Sequence, residues 1–328
     1  MLDDRKAAIL AALVELYIET GAPVSSGAVL DRSRLGVSPA TVRSDLAVLE
    51  REGYAVQPHT SAGRAPTSLA YRYYVDHLSP DDTRAATKAQ IHKFFSNVHT
   101  ELSRLLKATS ALLADMTHYP AVVLGPAMAA DTIKGLHLVQ LSSRAILLVL
   151  VGGTGQVRQQ VITLDQPIDS SGVDLAEEFL SGAVDDRGVG TVDADDAPGT
   201  VRMLVDRAVR VIGDVETDER EVYVGGTSTL SSAWEDIGEV NRVLEVLERE
   251  AMLLRVLAGA SAGTLIRIGE EHPIGGDVSV VATPFSIGSA PAGTMGVIGP
   301  RRMDYRRTIS VVEEVSEVLE GLLGSAEV

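Results

Sequence analysis

The side chains of residues 38–53 have the types and spacing of a surface that contacts nucleic acid. Guanidinium groups bind phosphate or guanine, and small side chains allow close approach to base edges. At helical spacing both kinds fall on one face, with Thr41 at its edge. The residues of this face are Ala40, Thr41, Arg43, Ser44, Ala47 and Arg51. The segment therefore predicts a recognition helix that enters the major groove of DNA.

The same segment contains signals for both ends of a helix. Ser38 can accept a hydrogen bond from a free N–H of the first turn, and Pro39 suits the first helical position. Gly53 can adopt the left-handed conformation that ends a helix. An apolar stripe lies between these ends, formed by Val42, Leu46 and Leu49. We therefore expect a helix from Ser38 to near Gly53 that buries this stripe.

Two helices are predicted ahead of this segment and complete a helix-turn-helix. The first spans residues 3–20 and the second spans residues 25–33, followed by a tight apolar turn. An amphipathic three-helix unit with no DNA-binding role would show similar stripes. We favour the DNA-binding interpretation, because the helix cap, the polar face and a basic loop occur together.

Residues 54–66 predict a β-hairpin, or wing, after the recognition helix. Residues 54–57 have a strand pattern, and residues 58–66 are rich in turn-forming types. We expect Arg64 near the tip of this wing and His59 at its base, with both residues available to DNA.

The charge of the chain is distributed unevenly. It has 29 basic and 45 acidic side chains, and its net charge of −16 repels nucleic acid at long range. Residues 1–80, which we call the head, contain 8 basic and 9 acidic side chains. A nearly neutral head can bind DNA through a local basic face. The acidic remainder should weaken non-specific binding and favour a homodimer that reads two half-sites.

Composition argues against several other classes of protein. The chain has no cysteine, which removes disulfides, thiolate metal ligands and cysteine nucleophiles. We find neither a signal peptide nor a long uncharged apolar run, so we expect a cytoplasmic protein with no membrane partner. A hydrophobic content of 45% in 328 residues suits two or three globular domains.

A heptad pattern runs from residue 87 to 118, after a helical pattern at 68–78 and a boundary at 79–82. Its apolar steps of four and three predict one helix about 45–50 Å long. Such a helix could pair or connect two heads, or it could lie across its own domain. We favour packing on the domain, because further apolar residues widen the stripe beyond a strict heptad seam.

Four strand patterns follow and predict a β-meander: 121–124, 133–141, 145–151 and 156–164. The glycines of residues 152–155 could suggest a phosphate loop, but no Lys-Ser/Thr pair and no helix follow them. A hairpin turn is the better interpretation.

Residues 165–261 are predicted to be an insertion. They are acidic at first, but their aspartates lack EF-hand spacing and indicate a solvated surface. Their remaining patterns are a strand at 221–225 and helices at 173–183, 200–211 and 237–258. Strand patterns then return at 264–269, 278–283 and 293–300, and a last helix follows Asp304. We therefore predict a split α+β domain of residues 81–164 and 262–328 around the insertion.

Two late motifs bring acidic, basic and histidine side chains together in sequence: Arg267, Glu270, His272 and Arg301. We favour a structural role for them, because no nucleophile, metal set or nucleotide loop accompanies them. His92 and His99 share a helical face but have no third ligand. We therefore expect no enzymatic activity, catalytic residue, metal or cofactor.

Several motifs resemble those of one family: GVSPATVRSD at 36–45, HTSAGR at 59–64, IRIGEE at 266–271 and VIGPRRMDY at 297–305. Together they resemble the HrcA heat-inducible transcription repressors over nearly the whole chain. The resemblance implies a winged-helix head, a GAF-like domain and an inserted dimerisation domain. It also implies an inverted-repeat operator upstream of chaperone genes, the CIRCE element, release on heat stress, and a chaperonin partner of the GroEL type.

Carried onto this sequence, the resemblance places Thr41, Arg43 and Ser44 in the groove and Arg64 at a phosphate or in the minor groove. Ser44 stands where the family often has Asn, which gives up a bidentate adenine contact. The second helix has Gly27 or Ala28 where the family often has Lys, and loss of that Lys should weaken phosphate binding. An alternative function is a small-molecule-responsive regulator that uses the GAF-like domain as its sensor.

Overall fold

The structure is a computed structural model that describes most of the chain. The described residues are 2–59, 63–78, 85–96, 102–127, 133–153, 157–185, 188–189, 192–214, 220–234, 236–260, 263–288 and 290–325. They form a mixed helix and sheet fold of the predicted α+β class.

The head consists of four helices and a short hairpin. In chain order these are α1 (Asp4–Thr20), α2 (Ser26–Ser33), α3 (Pro39–Arg51), β1 (Ala55–Val56), β2 (Ala65–Pro66) and α4 (Ser68–Asp76). An Asp, Ser or Thr side chain caps the start of each helix by accepting a first-turn N–H. The helices predicted at 3–20, 25–33 and 38–53 are thus confirmed, and local hydrogen bonds set their ends.

The apolar stripes of α1 and α3 meet in the core of the head. Ile9 and Leu13 of α1 are fully buried, as are Val42, Leu46 and Leu49 of α3. Each buried aliphatic side chain contributes about 1.5–3 kcal/mol relative to exposure. The predicted inner face of α3 is therefore confirmed, and its burial fixes which residues of α3 point outward.

Two helices follow the head where the heptad pattern predicted one: α5 (Ala85–Phe95) and α6 (Leu102–Thr117). The single helix over 87–118 is wrong, because α5 ends at Phe95 and Ser96 forms a turn. Both helices pack on the C-terminal helix of the chain, so the preference for packing on the domain is confirmed. The boundary predicted at 79–82 lies outside the described residues, as does His99.

The remaining elements form the body. Its strands are β3 (Ala121–Ala127), β4 (Ile133–Ser142), β5 (Ala145–Gly152), β6 (Val157–Thr163), β7 (Val184–Asp185), β8 (Gly188–Val189), β9 (Arg220–Gly225), β10 (Leu265–Ile268), β11 (Val278–Ile287) and β12 (Ala290–Pro300). Its helices are α7 (Ser170–Ser181), α8 (Arg202–Asp214), α9 (Leu230–Ala233), α10 (Ile237–Leu247), α11 (Glu250–Leu257) and α12 (Tyr305–Ser325).

An antiparallel five-stranded sheet is the centre of the body, in the order β10-β11-β12-β3-β9. Successive residues of a strand face opposite sides, and both sides of this sheet are covered. Val123 faces the core that includes α6 and α12, whereas Val122 and Leu124 face the core of α9, α10 and α11. Burial on both faces explains the nearly continuous apolar sequences of β3, β11 and β12.

A second, three-stranded sheet lies apart from the first, in the order β4-β5-β6. It packs against α7 and α8 around a separate core that extends from Ile133 to Ile212. Val151 of β5 pairs with Val157 of β6 in antiparallel register, as a hairpin requires, whereas residues 154–155 of the turn predicted at 152–155 lie outside the described residues.

The predicted domain bounds are wrong in this region. Strands β4 to β6 were assigned to the split domain 81–164 and 262–328, but they share the core of α7 and α8. Conversely, β9 and α9 to α11 were assigned to the insertion 165–261, but they belong to the five-stranded sheet and its cover. The separate unit therefore comprises residues 133–212. We call it the inserted unit.

Two further local predictions need correction. The helix predicted at 237–258 is divided into α10 and α11, because Arg249 adopts an extended conformation between them. The strands predicted at 278–283 and 293–300 are longer and form one hairpin. Among the described residues, no helix is both long and apolar enough to cross a membrane.

The close approach of α6 to β9 makes Gly225 essential for packing. A Cβ atom at Gly225 would lie 2.4 Å from the backbone oxygen of Ser110. We expect Gly225→Ala to cost about 1–3 kcal/mol and to lower the Tm measured by circular dichroism. Gly321→Ala is the matched control, since Gly321 lies in α12 with nothing within 4 Å of its added Cβ. That control should leave the Tm unchanged or raise it, and equal losses would contradict the packing argument.

Candidate nucleic-acid interface

Helix α3 begins at a fully formed cap. The Ser38 hydroxyl accepts the Thr41 backbone N–H at 3.2 Å, and the Ser38 and Thr41 hydroxyl oxygens lie 2.9 Å apart. Pro39 occupies the first turn, as predicted. The cap gives Ser38 a structural role at the start of the helix and holds the Thr41 side chain against it.

The outward face of α3 is accessible as the sequence predicted. Arg43, Ser44 and Arg51 are exposed, and Thr41 is half-buried at the edge of the face. Neither Arg43 nor Arg51 has a hydrogen bond or ion pair within the part of the chain that the structure describes. Two guanidinium groups on one exposed helix face are therefore available to an external anion.

The acidic side chain of α3 is withdrawn from this face. Asp45 is 5% exposed, and Arg5 of α1 binds it through Nε at 2.7 Å and through a terminal nitrogen at 3.2 Å. The sequence alone does not reveal this pair, although Asp45 follows Val42 by three positions and so shares its buried side. The pair joins α3 to α1 and neutralises a carboxylate that would otherwise repel DNA.

The hairpin is attached to α3 by Arg64. Its guanidinium contacts one carboxylate oxygen of Glu50 at 2.8 and 3.1 Å, and its side chain is 16% exposed. Its backbone also exchanges two hydrogen bonds of 2.8 Å with Val24. Glu50 is thereby neutralised, as Asp45 is.

The predicted positions of Arg64 and His59 in the wing are wrong. Val56 pairs with Ala65, so Arg64 lies next to the strands at the base of the hairpin. His59 is exposed and lies three residues beyond the end of β1, towards residues 60–62, which are outside the described residues. Strand register, which the loop composition does not specify, decides these positions.

Other ion pairs of the head lie outside α3 and leave its exposed arginines uncommitted. Glu19 binds Arg32 and Asp3 binds Lys6, in addition to the two pairs that involve α3. Arg34 is a further exposed cation, in the left-handed turn that precedes α3. Sequence analysis missed Arg34 because it lies outside the helical face.

The similarity to known proteins is consistent with this geometry. The family profile described as the HrcA protein C terminal domain matches residues 103–309. The chain belongs to the HrcA family. A heat-inducible transcription repressor HrcA from Parafrankia sp. is 36% identical over 99% of this chain and 100% of its own length. That of Nocardia farcinica is 35% identical over 98% of this chain and 97% of its own length.

The fold also has a solved counterpart. A crystal structure of a hypothetical protein at 2.2 Å resolution has a TM-score of 0.66 and 25% sequence identity, and covers 99% of both chains. The predicted resemblance to HrcA proteins is confirmed. Membership of a family whose relatives are named heat-inducible transcription repressors supports a role of this chain as a transcription repressor.

The Arg64–Glu50 pair should measurably hold the hairpin on α3. We expect the two alanine substitutions, Arg64→Ala and Glu50→Ala, to be non-additive by about 1 kcal/mol. The measurement is native-state hydrogen exchange at the amides of Val24 and position 64, which report local opening. The exposed Arg210–Asp206 pair is the control, with an expected coupling of about 0.3 kcal/mol. Additive effects at Arg64 and Glu50 would contradict an attachment by this pair.

Proposed function

We propose that this protein represses chaperone genes by binding, as a homodimer, an inverted-repeat operator of the CIRCE type. The observation that supports this most directly is the exposed face of α3, where Arg43 and Arg51 have no partner among the described residues. The two carboxylates within α3, Asp45 and Glu50, are paired with cations of the head. An acidic chain can thereby present a local cationic surface to DNA.

In this proposal the head is a winged helix-turn-helix and α3 is its recognition helix. Arg43 and Ser44 reach base edges from the first half of α3, Thr41 contacts the groove edge, and Ser38 holds the helix start. Arg51 contacts phosphate at the other end of α3. His59 extends from the hairpin towards the backbone or the minor groove.

We assign Arg64 a positioning role instead of the direct DNA contact that the sequence suggested. Its guanidinium is committed to Glu50, so its contribution to DNA binding is to set the angle between hairpin and helix. A phosphate could compete with Glu50 for the same group, since both are anionic acceptors.

Arg43 provides the sharpest test of base recognition. Arg43→Ala should weaken binding to an inverted-repeat chaperone-promoter duplex by about 1–3 kcal/mol and reduce the preference over a scrambled duplex. The measurement is fluorescence anisotropy at fixed salt. Arg255→Ala removes the same charge from an exposed position in the body and should change neither affinity nor preference. An Arg43 variant with unchanged affinity and preference would exclude a base contact by Arg43.

Dimerisation is supported by an uncovered apolar face on the inserted unit. On β5, alternate residues are buried against α7 and α8, and the others are apolar as well. Val139, Leu147 and Val161 form a row across the three strands on the outer face. Val139 and Val161 are 47% and 48% exposed, and Leu141 and Val157 lie on the same side. A face of this kind on a monomer is unusual and marks an interaction surface.

A second copy of this chain is the partner that we propose for this face. A surface that meets its own copy across a two-fold axis forms a closed dimer and requires no other protein. Two heads related by such an axis suit an operator whose half-sites are also related by symmetry. We therefore propose that the dimer surface lies on β4 to β6 of the inserted unit, rather than within the dimerisation domain of residues 165–261 that was expected from the resemblance.

Charge placed on this face should separate the protomers. Val161→Glu would bury a carboxylate without a partner, and we expect sedimentation velocity to show monomers. Leu175→Glu is the matched control: Leu175 is 38% exposed on α7, which covers the opposite side of the sheet. That variant should remain dimeric. A dimer that persists in Val161→Glu would place the interface elsewhere.

The heat response and the chaperonin are supported by family membership. Relatives at 34 to 36% identity over nearly the full chain are named heat-inducible transcription repressors. We propose that this chain likewise releases its operator on heat stress, and that a chaperonin of the GroEL type maintains its active form. The low aromatic content of 4% leaves the cores to aliphatic side chains, as a loosely packed, heat-sensitive body would have.

A further inference from the structure

The two late motifs lie together at the joint between head and body. Arg72 of α4 binds Glu271, which follows β10, with Nε 2.9 Å from one carboxylate oxygen and a terminal nitrogen in contact with the other. The same terminal nitrogen donates to the backbone oxygen of Ile266 at 2.7 Å. Arg72 thus makes a bidentate, charge-assisted contact that crosses the joint.

Glu271 is prepared for this contact by its own motif. Its carboxylate accepts the backbone N–H of Ile268 at 2.9 Å, which orients it towards α4. Partial burial opposes its ionisation, but the hydrogen bonds from Arg72 and Ile268 outweigh burial and lower the pKa of Glu271. The carboxylate is therefore oriented by Ile268 and held in its ionised form by contacts that include Arg72 itself.

The second motif provides another link to the same helix. A terminal nitrogen of Arg301 donates to the Ser68 hydroxyl at the start of α4 at 3.0 Å, and its Nε lies 3.3 Å from Asp277. Tyr71 of α4 packs on Tyr305 with ring centroids 6.0 Å apart. One side of α4 therefore contacts both late motifs.

One part of the joint is polar and incompletely packed. Beside α4, a cavity of about 330 Å³ lies between the head and the body, lined on the head side by Tyr17 and Tyr71 and on the body side by Trp234, Asp277 and Arg301. Next to it the head and the body share one continuous apolar core, which includes Tyr71 and Tyr305. Arg72 is half-buried and is not part of this core, so its substitution can alter how the head sits on the body without removing an apolar side chain around α3.

We propose that Arg72 and Glu271 are positioning residues that fix the head on the body, so that the dimer presents its two recognition helices at one spacing. This inference rests on the proposed function. It gives the late motifs a role in positioning the head, which is distinct from catalysis and from direct contact with DNA. Breaking the pair should leave each head able to bind DNA while removing the preference for one half-site spacing.

The first measurement compares two duplexes that differ only in half-site spacing. One duplex has the inverted repeat, and the other has about 5 base pairs inserted between its half-sites, which is half a helical turn. Simultaneous engagement of two sites strengthens binding by about 10²–10⁴-fold and is lost when the geometry forbids it. We expect the unaltered protein to prefer the first duplex by about 100-fold, and Arg72→Ala by less than about 10-fold.

Two further variants separate positioning from general damage. Arg72→Lys keeps the charge and should restore part of the spacing preference. Arg32→Ala removes a guanidinium that binds Glu19 within the head, at similar exposure, and should leave the preference intact. An equal loss in Arg32→Ala, or an unchanged preference in Arg72→Ala, would overturn the inference.

The second measurement does not depend on DNA. Trp234 is the single tryptophan of a chain without cysteine and lies at the joint, so it can transfer energy to a dye on Asp31→Cys of α2. We expect Arg72→Ala to lower and broaden this transfer, with the full-length chain still dimeric. Unchanged transfer would overturn the inference. Absence of selective DNA binding by the unaltered protein would instead overturn the proposed function, so the two failures are distinguishable.

Discussion

Repulsion between DNA and a chain of net charge −16 is the constraint on which the arrangement of the head depends. The head reduces this repulsion by pairing its own acidic side chains with its own cations. Asp45 is bound by Arg5 and Glu50 by Arg64, so the carboxylates within α3 are paired while its two guanidinium groups stay exposed. These pairs also hold α3 to α1 and the hairpin to α3. The same contacts therefore compensate the acidic charge and fix the position of α3.

The body contains two sheets that differ in how their faces are covered. The five-stranded sheet is covered on both faces and gives the head a rigid support, with α4 bound at its β10 edge. The three-stranded sheet is covered on one face by α7 and α8, and its other face is apolar and accessible. The first sheet thus supports the head. The second sheet has the surface that we propose for dimerisation, which would relate two heads by symmetry.

The fold of the head was largely predictable, because its signals are local. Ser38, Pro39 and Gly53 mark the ends of α3 within the segment itself, and the stripe of Val42 and Leu46 specifies its inner side. The heptad pattern failed for the opposite reason. A stripe that buries residues of α5 and α6 looks the same in one long helix as in two helices packed on α12.

The sequence by itself determined the ends and the inner face of α3, the α+β class and, through its motifs, membership of the HrcA family. Only the tertiary structure decided that β3 pairs with β12 and β9 rather than with the next strand, and hence that residues 133–212 form the inserted unit. It also decided the partners of Arg64 and Arg72. The physical reason is that a helix cap or stripe is satisfied within a few residues. The backbone hydrogen bonds of a strand edge and the charge of a side chain are instead satisfied by groups distant in sequence. Those groups come close only once the chain is folded.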